Sequence, residues 1–406
     1  MWSLKPYKSP PSTCPGCNSK NEGFNEYIFT GVNILGKGVC STCGMSYYHN
    51  WPIGHGAHFP ISFNDNGIAR YPEKAAQWLA NPLIKSMKQD LRIEASVKRQ
   101  VRKSISQALL LNCLDPCFGH VLWKLFNASR YGDIALPQGL VVLIPANCSW
   151  LVPDYVAEIW SVEVSMSSLN YQVLSVDKFI REVSQGFESL SLLPVATHID
   201  HTVVDLRQFL PVKPFRLKDF YHKPACFTLI WREDRFWLRS EPERWFSLAV
   251  LKFSVKWLRS WLIYRQLKKM TKLVECIREE MPSARFKVTG LGTQGVFPEY
   301  IEDLRQQKIS EQWEKKWCQT YADSQLVIGI HGSNMLIPTG LSAGFIELLP
   351  RHKIPFITED ILLKHPPRLQ MFLGRHLDLF TSSKIIAQHA VSVFRDFDYL
   401  YHNFQE

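Results

Sequence analysis

The chain has 406 residues, 46% of them apolar and 21% charged, which is a globular composition and excludes a disordered protein. That length exceeds one ordinary core, so a small module followed by two larger α/β units is the natural expectation. A net charge of +10 favours anionic partners (nucleotides, nucleic acid or an acidic membrane face) without choosing among them.

Met1–Pro10 lacks the apolar segment of a secretory leader, and no stretch offers 18 uninterrupted apolar residues, so a cytoplasmic location is expected. The best membrane-span candidate, Gly139–Trp160, is interrupted by Pro145, Asn147, Pro153, Asp154 and Glu158. Six cysteines are scattered (Cys113, Cys117, Cys148, Cys226, Cys276, Cys318) and read as reduced, buried small hydrophobes.

The other four form two CxxC pairs, Cys14/Cys17 and Cys40/Cys43. Each pair sets two thiolates on one tight turn, and two facing turns complete a tetrahedral four-sulfur site. Gly16 and Gly44 suit such knuckles, and the intervening YIFTGVNILGKGV alternates like ribbon strands. This is a zinc ribbon, and its four thiolates close the coordination shell, so the zinc is structural. His49, His55 and His58 follow and read as polar loop residues in preference to a second metal site. Only Lys20 and Lys37 are basic within the ribbon, a poor phosphate-binding surface, so nucleic acid is the weaker partner.

Residues 50–72 are rich in Pro, Gly and Asn and read as a linker. Glu73–Leu111 reads as two helical segments, with Lys98–Lys103 forming a solvated basic face. An α/β rhythm then begins: a helix over Cys117–Tyr131, a buried strand at Gly139–Pro145, a short helix at Asp154–Trp160 and a strand at Ser161–Met166. Strand-like pieces lie at Tyr171–Ser175 and Thr202–Asp205. A second rhythm starts with a strand at Cys226–Trp231 and a long helix from about Phe246 to Met281. It continues with a strand at Arg285–Gly290, helices over Pro298–Gln307 and Gln312–Ala322, a strand at Leu326–Ile330, a short helix at Met335–Leu341 and a strand at Phe345–Leu349. Strands alternating with helices in this way imply parallel, doubly wound sheets. The expected division is a ribbon and linker over 1–60, an amino-terminal Rossmann-like lobe over 61–222 and a carboxyl-terminal lobe over 223–406.

The densest motif is Gln325–Pro350, where a buried strand reaches the turn His331-Gly332-Ser333-Asn334 and a short helix follows at once. Backbone amides of Ser333 and Asn334 would face a phosphate there, and Gly332 permits close approach. His331 sits at the carboxyl end of its strand, where open α/β sheets bind ligands. Glu347, on the next strand, is placed to accept hydrogen bonds from a ribose. The plain alternative is a strand–turn–helix with Ser333 or Asn334 as its cap.

Arg232, Arg235 and Arg239 follow the Cys226–Trp231 strand and can fork onto a diphosphate; the alternative is a surface network with Glu233 and Asp234. Asp115 and His120 are candidate bases in the first lobe, His120 reading equally as a capping or core histidine. Gly290-Leu-Gly292-Thr-Gln-Gly295 has glycine-loop spacing but leads into Val-Phe-Pro, so it reads as a flexible loop. Lys252–Lys272 holds seven basic and no acidic residues, with Trp257 and Trp261 one turn apart. It fits an anionic membrane face, although apolar positions all round its circumference favour burial.

The HGSN turn, its short helix and the strand ending Glu-Leu-Leu-Pro resemble the carboxyl-terminal half of the family sixty-one glycosyltransferases. Ile230–Arg235 is similar to that family's first strand and arginine-bearing phosphate loop, and Phe118-Gly119-His120 to its amino-terminal FGH element. The resemblance extends over residues 115–380 and is carried chiefly by HGSN. It implies the GT-B architecture, two Rossmann-like lobes with a sugar nucleotide held by the second, and transfer with inversion that needs no catalytic metal. The donor set would be Arg232, Arg235, His331, Gly332, Ser333, Asn334 and Glu347, with His120 or Asp115 near a glycan or lipid-linked acceptor. Peripheral contact with the inner face of a membrane is compatible with such an acceptor. The zinc ribbon, the absence of a signal anchor and the sequence after residue 350 depart from the family pattern. Two other readings stand beside it, a non-catalytic nucleotide- or glycan-binding scaffold and a zinc-ribbon nucleic-acid-binding protein.

Overall fold

A computed structural model describes residues 12–21, 23–24 and 26–404. Met1–Pro10, the stretch without an apolar leader core, lies outside the described residues. The described chain falls into two compact units, divided between Asp200 and His201. The sequence-based boundaries, by contrast, lie after residues 60 and 222.

The first unit opens with the paired segments Ser12–Thr13 and Lys20–Asn21, followed by β1 (Glu26–Phe29), β2 (Ile34–Val39) and β3 (Ser46–Asn50). These three make an antiparallel sheet that continues through Ser62–Phe63 and Ala69–Arg70. The presumed linker thus supplies strands, because Ile61 and Phe63 are buried beside Phe29 and Leu35. A second sheet is built from β4 (Ser96–Val101), β5 (Gln107–Asn112), β6 (Gln138–Pro145), β7 (Glu158–Glu163) and β8 (Ser189–Leu192). Its order is β8-β5-β6-β7-β4, parallel except for the antiparallel edge strand β4. Helices α1 (Phe118–Phe126) and α2 (Leu174–Ser184) belong to this layer. Both sheets share one core, in which Phe29, Ile34 and Leu35 lie with Leu110, Val141 and Trp160.

The expected helix beyond residue 95 is therefore a pair of strands. Ser96–Val101 is an edge strand with most residues exposed, and basic residues there carry no helical signal of their own. Gln107–Asn112 is an apolar run whose length suits a strand better than a helix. The short helix expected at Asp154–Trp160 does not form, β7 starting at Glu158, and of the strand expected at Tyr171–Ser175 only an isolated bridge from Val173 to Ile93 remains before α2 begins at Leu174.

The second unit contains β9 (Cys226–Trp231), α3 (Glu241–Lys252), α4 (Lys256–Glu280), β10 (Arg285–Gly290), β11 (Ile301–Asp303), α5 (Glu311–Ala322), β12 (Leu326–Ile330), α6 (Leu336–Leu341), β13 (Gly344–Leu349), β14 (Gly374–Asp378) and α7 (Ser383–Arg395). The sheet order is β11-β10-β9-β12-β13-β14 with every pairing parallel. Continuous burial of β9, β12 and β13 explains their uninterrupted apolar sequences. The expected single helix over 246–281 is two helices, broken at Ser254, whose φ of 52° no helix accommodates. The expected helix at Pro298–Gln307 is β11, added at the sheet edge. No described helix is long and apolar enough to cross a membrane.

Candidate functional site

The two CxxC turns meet. Cys14 and Cys17 lie between the first paired segments, and Cys40 and Cys43 in the β2–β3 turn, where Gly44 takes a φ of 72°. All four sulfurs lie within 4.8 Å of one another, with Cys14–Cys43 at 3.7 Å and Cys17–Cys40 at 3.5 Å. Zinc–sulfur bonds of about 2.3 Å at tetrahedral angles put sulfurs roughly 3.8 Å apart, so the cluster fits a four-thiolate metal ion. The Ser19 hydroxyl lies 3.0 Å from Cys40 and 3.1 Å from Cys17, and the Asn21 amide donates to Cys40 at 3.5 Å, which supports two ligands from outside the shell.

In the parallel sheet of the first unit, chain order reverses between β5 and β8, and loops leaving their carboxyl ends are splayed apart there. Asp115 and His120 follow β5, and His198 follows β8. Asp115 is fully buried. Its Oδ2 lies 2.8 Å from Lys124 Nζ and 2.8 Å from His55 Nε2. Its Oδ1 faces His120 Nδ1 at 3.2 Å and accepts from the Cys117 amide at 3.0 Å. Burial pushes the Asp115 carboxyl up, but the Lys124 ammonium, His120 and His55 outweigh it and hold the group well below the usual carboxylate range. The His120 side chain is 29% exposed, and its ring packs edge-on against His55 and His198. With Nδ1 engaged by Asp115, Nε2 is the nitrogen left for a substrate.

His55, His120 and Asp115 also have the donor types of a metal site. The Lys124 ammonium on Asp115 Oδ2 disfavours a cation there by like-charge repulsion. Nor is His55 a loop residue: it is buried, packed edge-on against Trp78, and burial lowers its affinity for a proton. His49 is likewise buried, its Nδ1 2.7 Å from Ser62 Oγ.

The second unit repeats the arrangement at its own reversal point, between β9 and β12. Arg232 and Arg235 leave β9, and the His331–Asn334 turn leaves β12. Arg232 Nη1 donates to Asn334 Oδ1 at 2.5 Å and to the His331 carbonyl at 3.3 Å, and Arg235 Nη1 donates to the same carbonyl at 2.7 Å. Two guanidinium groups thus converge on Gly332, whose φ is 149°. A Cβ there would overlap Arg232 Nη1 and lie 3.0 Å from Arg235 Nη1. The other edge of Arg232 forks onto Asp234 at 2.9 and 2.6 Å, so the ion-pair alternative also describes part of this geometry. Asn334 Nδ2 is buried without a hydrogen-bond partner, an amide donor suited to a ligand oxygen. Arg239 instead serves α3, its backbone amide donating to Glu243.

The His331 imidazole points away from the turn into a carboxylate–imidazole chain. Its Nδ1 lies 3.2 Å from Glu347, its Nε2 3.1 Å from Asp360, and the other Glu347 oxygen 3.1 Å from His376. Burial pushes the Glu347 carboxyl up, but His331 and His376 leave it below its ordinary value. Burial raises Asp360. Glu347 is fully buried, with Oε1 hydrogen-bonded to His331 and Oε2 close to His376 but outside hydrogen-bond geometry, so the carboxylate faces imidazoles and not an open ribose site. The Gly290–Gly295 loop is pinned: Arg305 donates to the carbonyls of Gln294 and Gly295 at 2.9 and 2.8 Å, and Glu233 accepts from the Gln294 amide at 3.0 Å.

Sequence reasoning did not single out Lys124, His198, Asp360 or His376. Lys124 carried a signal, a lone charge amid the apolar positions of VLWKLF. Asp360 and His376 carried none, since neither neighbours a motif.

No family model matches the chain, and no curated protein sequence matches it. Among solved structures, a crystal structure of the GtfA/B complex aligns over 95% of this chain and 68% of that chain, at 10% identity and a TM-score of 0.23. A likeness at that score carries no argument about fold or function.

Proposed function

We propose that the chain is a glycosyltransferase of GT-B-like organisation, with two Rossmann-like lobes and a structural zinc ribbon. The reading rests on one observation above the others: Arg232 and Arg235 converge on Gly332 at the reversal point of a six-stranded parallel sheet. That is where such sheets hold nucleotides, and paired guanidinium groups match a diphosphate. Asp234 contests the Arg232 fork, but its side chain is 68% exposed. Arg232 itself is only 12% exposed and its fork onto Asp234 is bidentate, so a diphosphate must outcompete that carboxylate for the same edge of the guanidinium group.

In this reading the region from 223 to 406 holds the nucleotide-sugar. Arg232 and Arg235 take the diphosphate oxygens, and Gly332, Ser333 and Asn334 line its approach. His331, clamped by Glu347 and Asp360, fixes the turn that presents its carbonyl to both arginines. The region from 61 to 222 serves the acceptor, a glycan or lipid-linked hydroxyl. His120 Nε2 takes the hydroxyl proton while Asp115 holds the ring. The acceptor oxygen bonds to the anomeric carbon as the carbon–oxygen bond to phosphate breaks, and the diphosphate leaves with the electron pair. Attack opposite the leaving group inverts that carbon, and the arginines offset the developing charge without a catalytic metal ion.

A thermal-shift series with UDP, GDP, CDP and dTDP tests the reading, since a ligand that binds only the folded state raises its midpoint. One nucleotide is expected to shift wild-type protein and to leave Arg232→Ala and Arg235→Ala unmoved. No shift with any nucleotide refutes the donor site. A shift without sugar transfer to any acceptor would identify a nucleotide-binding scaffold.

A further inference from the structure

The helices α3 and α4 carry a surface that the donor site does not use. Of the 23 large hydrophobic side chains exposed among the described residues, seven fall within residues 245–264: Trp245, Phe246, Leu248, Phe253, Trp257, Trp261 and Tyr264. Trp257 and Phe253 are each 72% exposed. The sequence expectation of burial is therefore incorrect for this face, and helix geometry gives the reason. Leu262, Ile263, Gln266, Leu267, Met270, Leu273, Val274 and Ile277 take one side of α4 into the core. Trp257, Trp261, Tyr264 and Lys268 follow at i, i+4, i+7 and i+11 along another stripe, which faces solvent. On α3, Trp245, Leu248 and Lys252 repeat the pattern at i, i+3 and i+7. Phe246 meets Trp261 edge-on at 5.9 Å and joins the two stripes. Phe253 crowns the turn between the helices.

Basic groups interleave with these rings. Arg244 lies over Trp245 at 4.8 Å, Lys252 over Phe253 at 5.8 Å, Arg265 over Trp261 at 4.5 Å and Lys268 over Tyr264 at 4.6 Å. Arg244–Lys272 holds eight basic residues and no acidic one. Acidic neighbours pair with four of the eight, Glu241 with Arg244, Glu243 with Arg265, Glu233 with Arg259 and Glu275 with Lys272, and Lys269 donates to the Trp237 and Leu238 carbonyls. Lys252, Lys256 and Lys268 make no ion pair among the described residues and are exposed. Exposed tryptophans at the level of unpaired lysines are the chemistry of the lipid headgroup zone, where an amphipathic ring and a cation are both satisfied. A protein partner needs no such excess of one charge, whereas an anionic bilayer does.

We propose that the α3–α4 face docks on an anionic phospholipid surface, with Phe253 and Trp257 entering the headgroup boundary and Lys252, Lys256 and Lys268 pairing with lipid phosphates and carboxylates. The proposal stands independently of the donor site. Its test is co-sedimentation of the full chain with large vesicles of phosphatidylcholine alone or with 30% phosphatidylserine, at about 0.1 and 0.5 M salt. Binding is expected only to the mixed vesicles at the lower salt. Lys252→Glu/Lys256→Glu should lower the partition coefficient at least about twentyfold, near fivefold for each basic side chain. Phe253→Ser/Trp257→Ser should abolish binding while the thermal midpoint stays unchanged, because both side chains are largely in water. A Met371→Ser control, exposed elsewhere, should bind as wild type. Absent binding to the mixed vesicles, or binding undiminished in both double variants, overturns the proposal. So does a concentration-dependent dimer in sedimentation velocity that the aromatic variant removes without any vesicle binding, since the face would then be a protein interface.

Discussion

Replacing Lys124 by methionine probes the charge cluster behind His120. The Lys124 side chain is 3% exposed and Asp115 is fully buried, with Nζ 2.8 Å from Oδ2 and 2.9 Å from the Leu114 carbonyl. Methionine keeps most of the stem volume but leaves the carboxylate facing two imidazoles and the Cys117 amide, with no cationic partner. Removing one partner of a buried pair costs about 3–5 kcal/mol, which is a large share of the 5–15 kcal/mol that holds a typical domain. Removing both charges, in Lys124→Met/Asp115→Asn, should recover most of that loss and give a coupling of about 3 kcal/mol. The readout is hydrogen exchange of the amides in β5 and α1, which reports the opening free energy of this unit alone. The pH dependence carries a sign of its own. In the wild type the depressed Asp115 contributes stability above its unfolded value of about 3.9 that is lost as pH falls toward the folded value. In Lys124→Met burial prevails and raises the carboxyl, so the variant's deficit should shrink from pH 7 to pH 5. A deficit below about 1 kcal/mol at pH 7, or a double variant as unstable as the sum of the singles, would refute the assignment of a charged, coupled pair.

Gly332→Ala should abolish any nucleotide-induced thermal shift at an intrinsic cost of about 1–3 kcal/mol, because its Cβ displaces Arg232 and its φ of 149° disfavours a side chain; an undiminished shift would remove the turn from the donor site. Burial pushes His49 down to about 4. The unfolded chain therefore binds a proton below about 6.5 that the folded chain refuses, so stability should fall by roughly 1.4 kcal/mol per pH unit on acidification from 6.5 toward 4. Urea titrations of wild type and His49→Gln between pH 7 and 5 should differ by that slope. A strong zinc chelator should release one ion per chain and open Cys14 and Cys40 to alkylation, with readdition of zinc restoring protection; slow alkylation of metal-free protein would mean that the hairpins hold without the metal.

The cysteine cluster was legible because its information is local: two tight turns, each of which sets two ligands without help from the rest of the chain. Strands β9, β12 and β13 were legible for a related reason, since burial on both faces writes itself as an apolar run. Edge strands β4 and β11 were misread as helix, because pairing on one side leaves most side chains to solvent and no period to detect. Among the site residues, Arg232, Arg235 and the HGSN turn could be assigned to strand ends, and the structure places both arginines on the His331 carbonyl.

The sequence by itself determined the residues available for chemistry, the parallel α/β character and the four cysteines that cluster. Tertiary structure alone decided their partners. His55 is 60 residues from Asp115 and His376 is 29 from Glu347, so no spacing rule pairs them. Only the packed sheet orders decided that each unit has a reversal point, and only strand register set His376 beside Glu347. Tertiary structure likewise turned one stripe of α4 inward and left the tryptophan stripe to water. A helix with apolar residues all round does not encode which side its neighbours will cover.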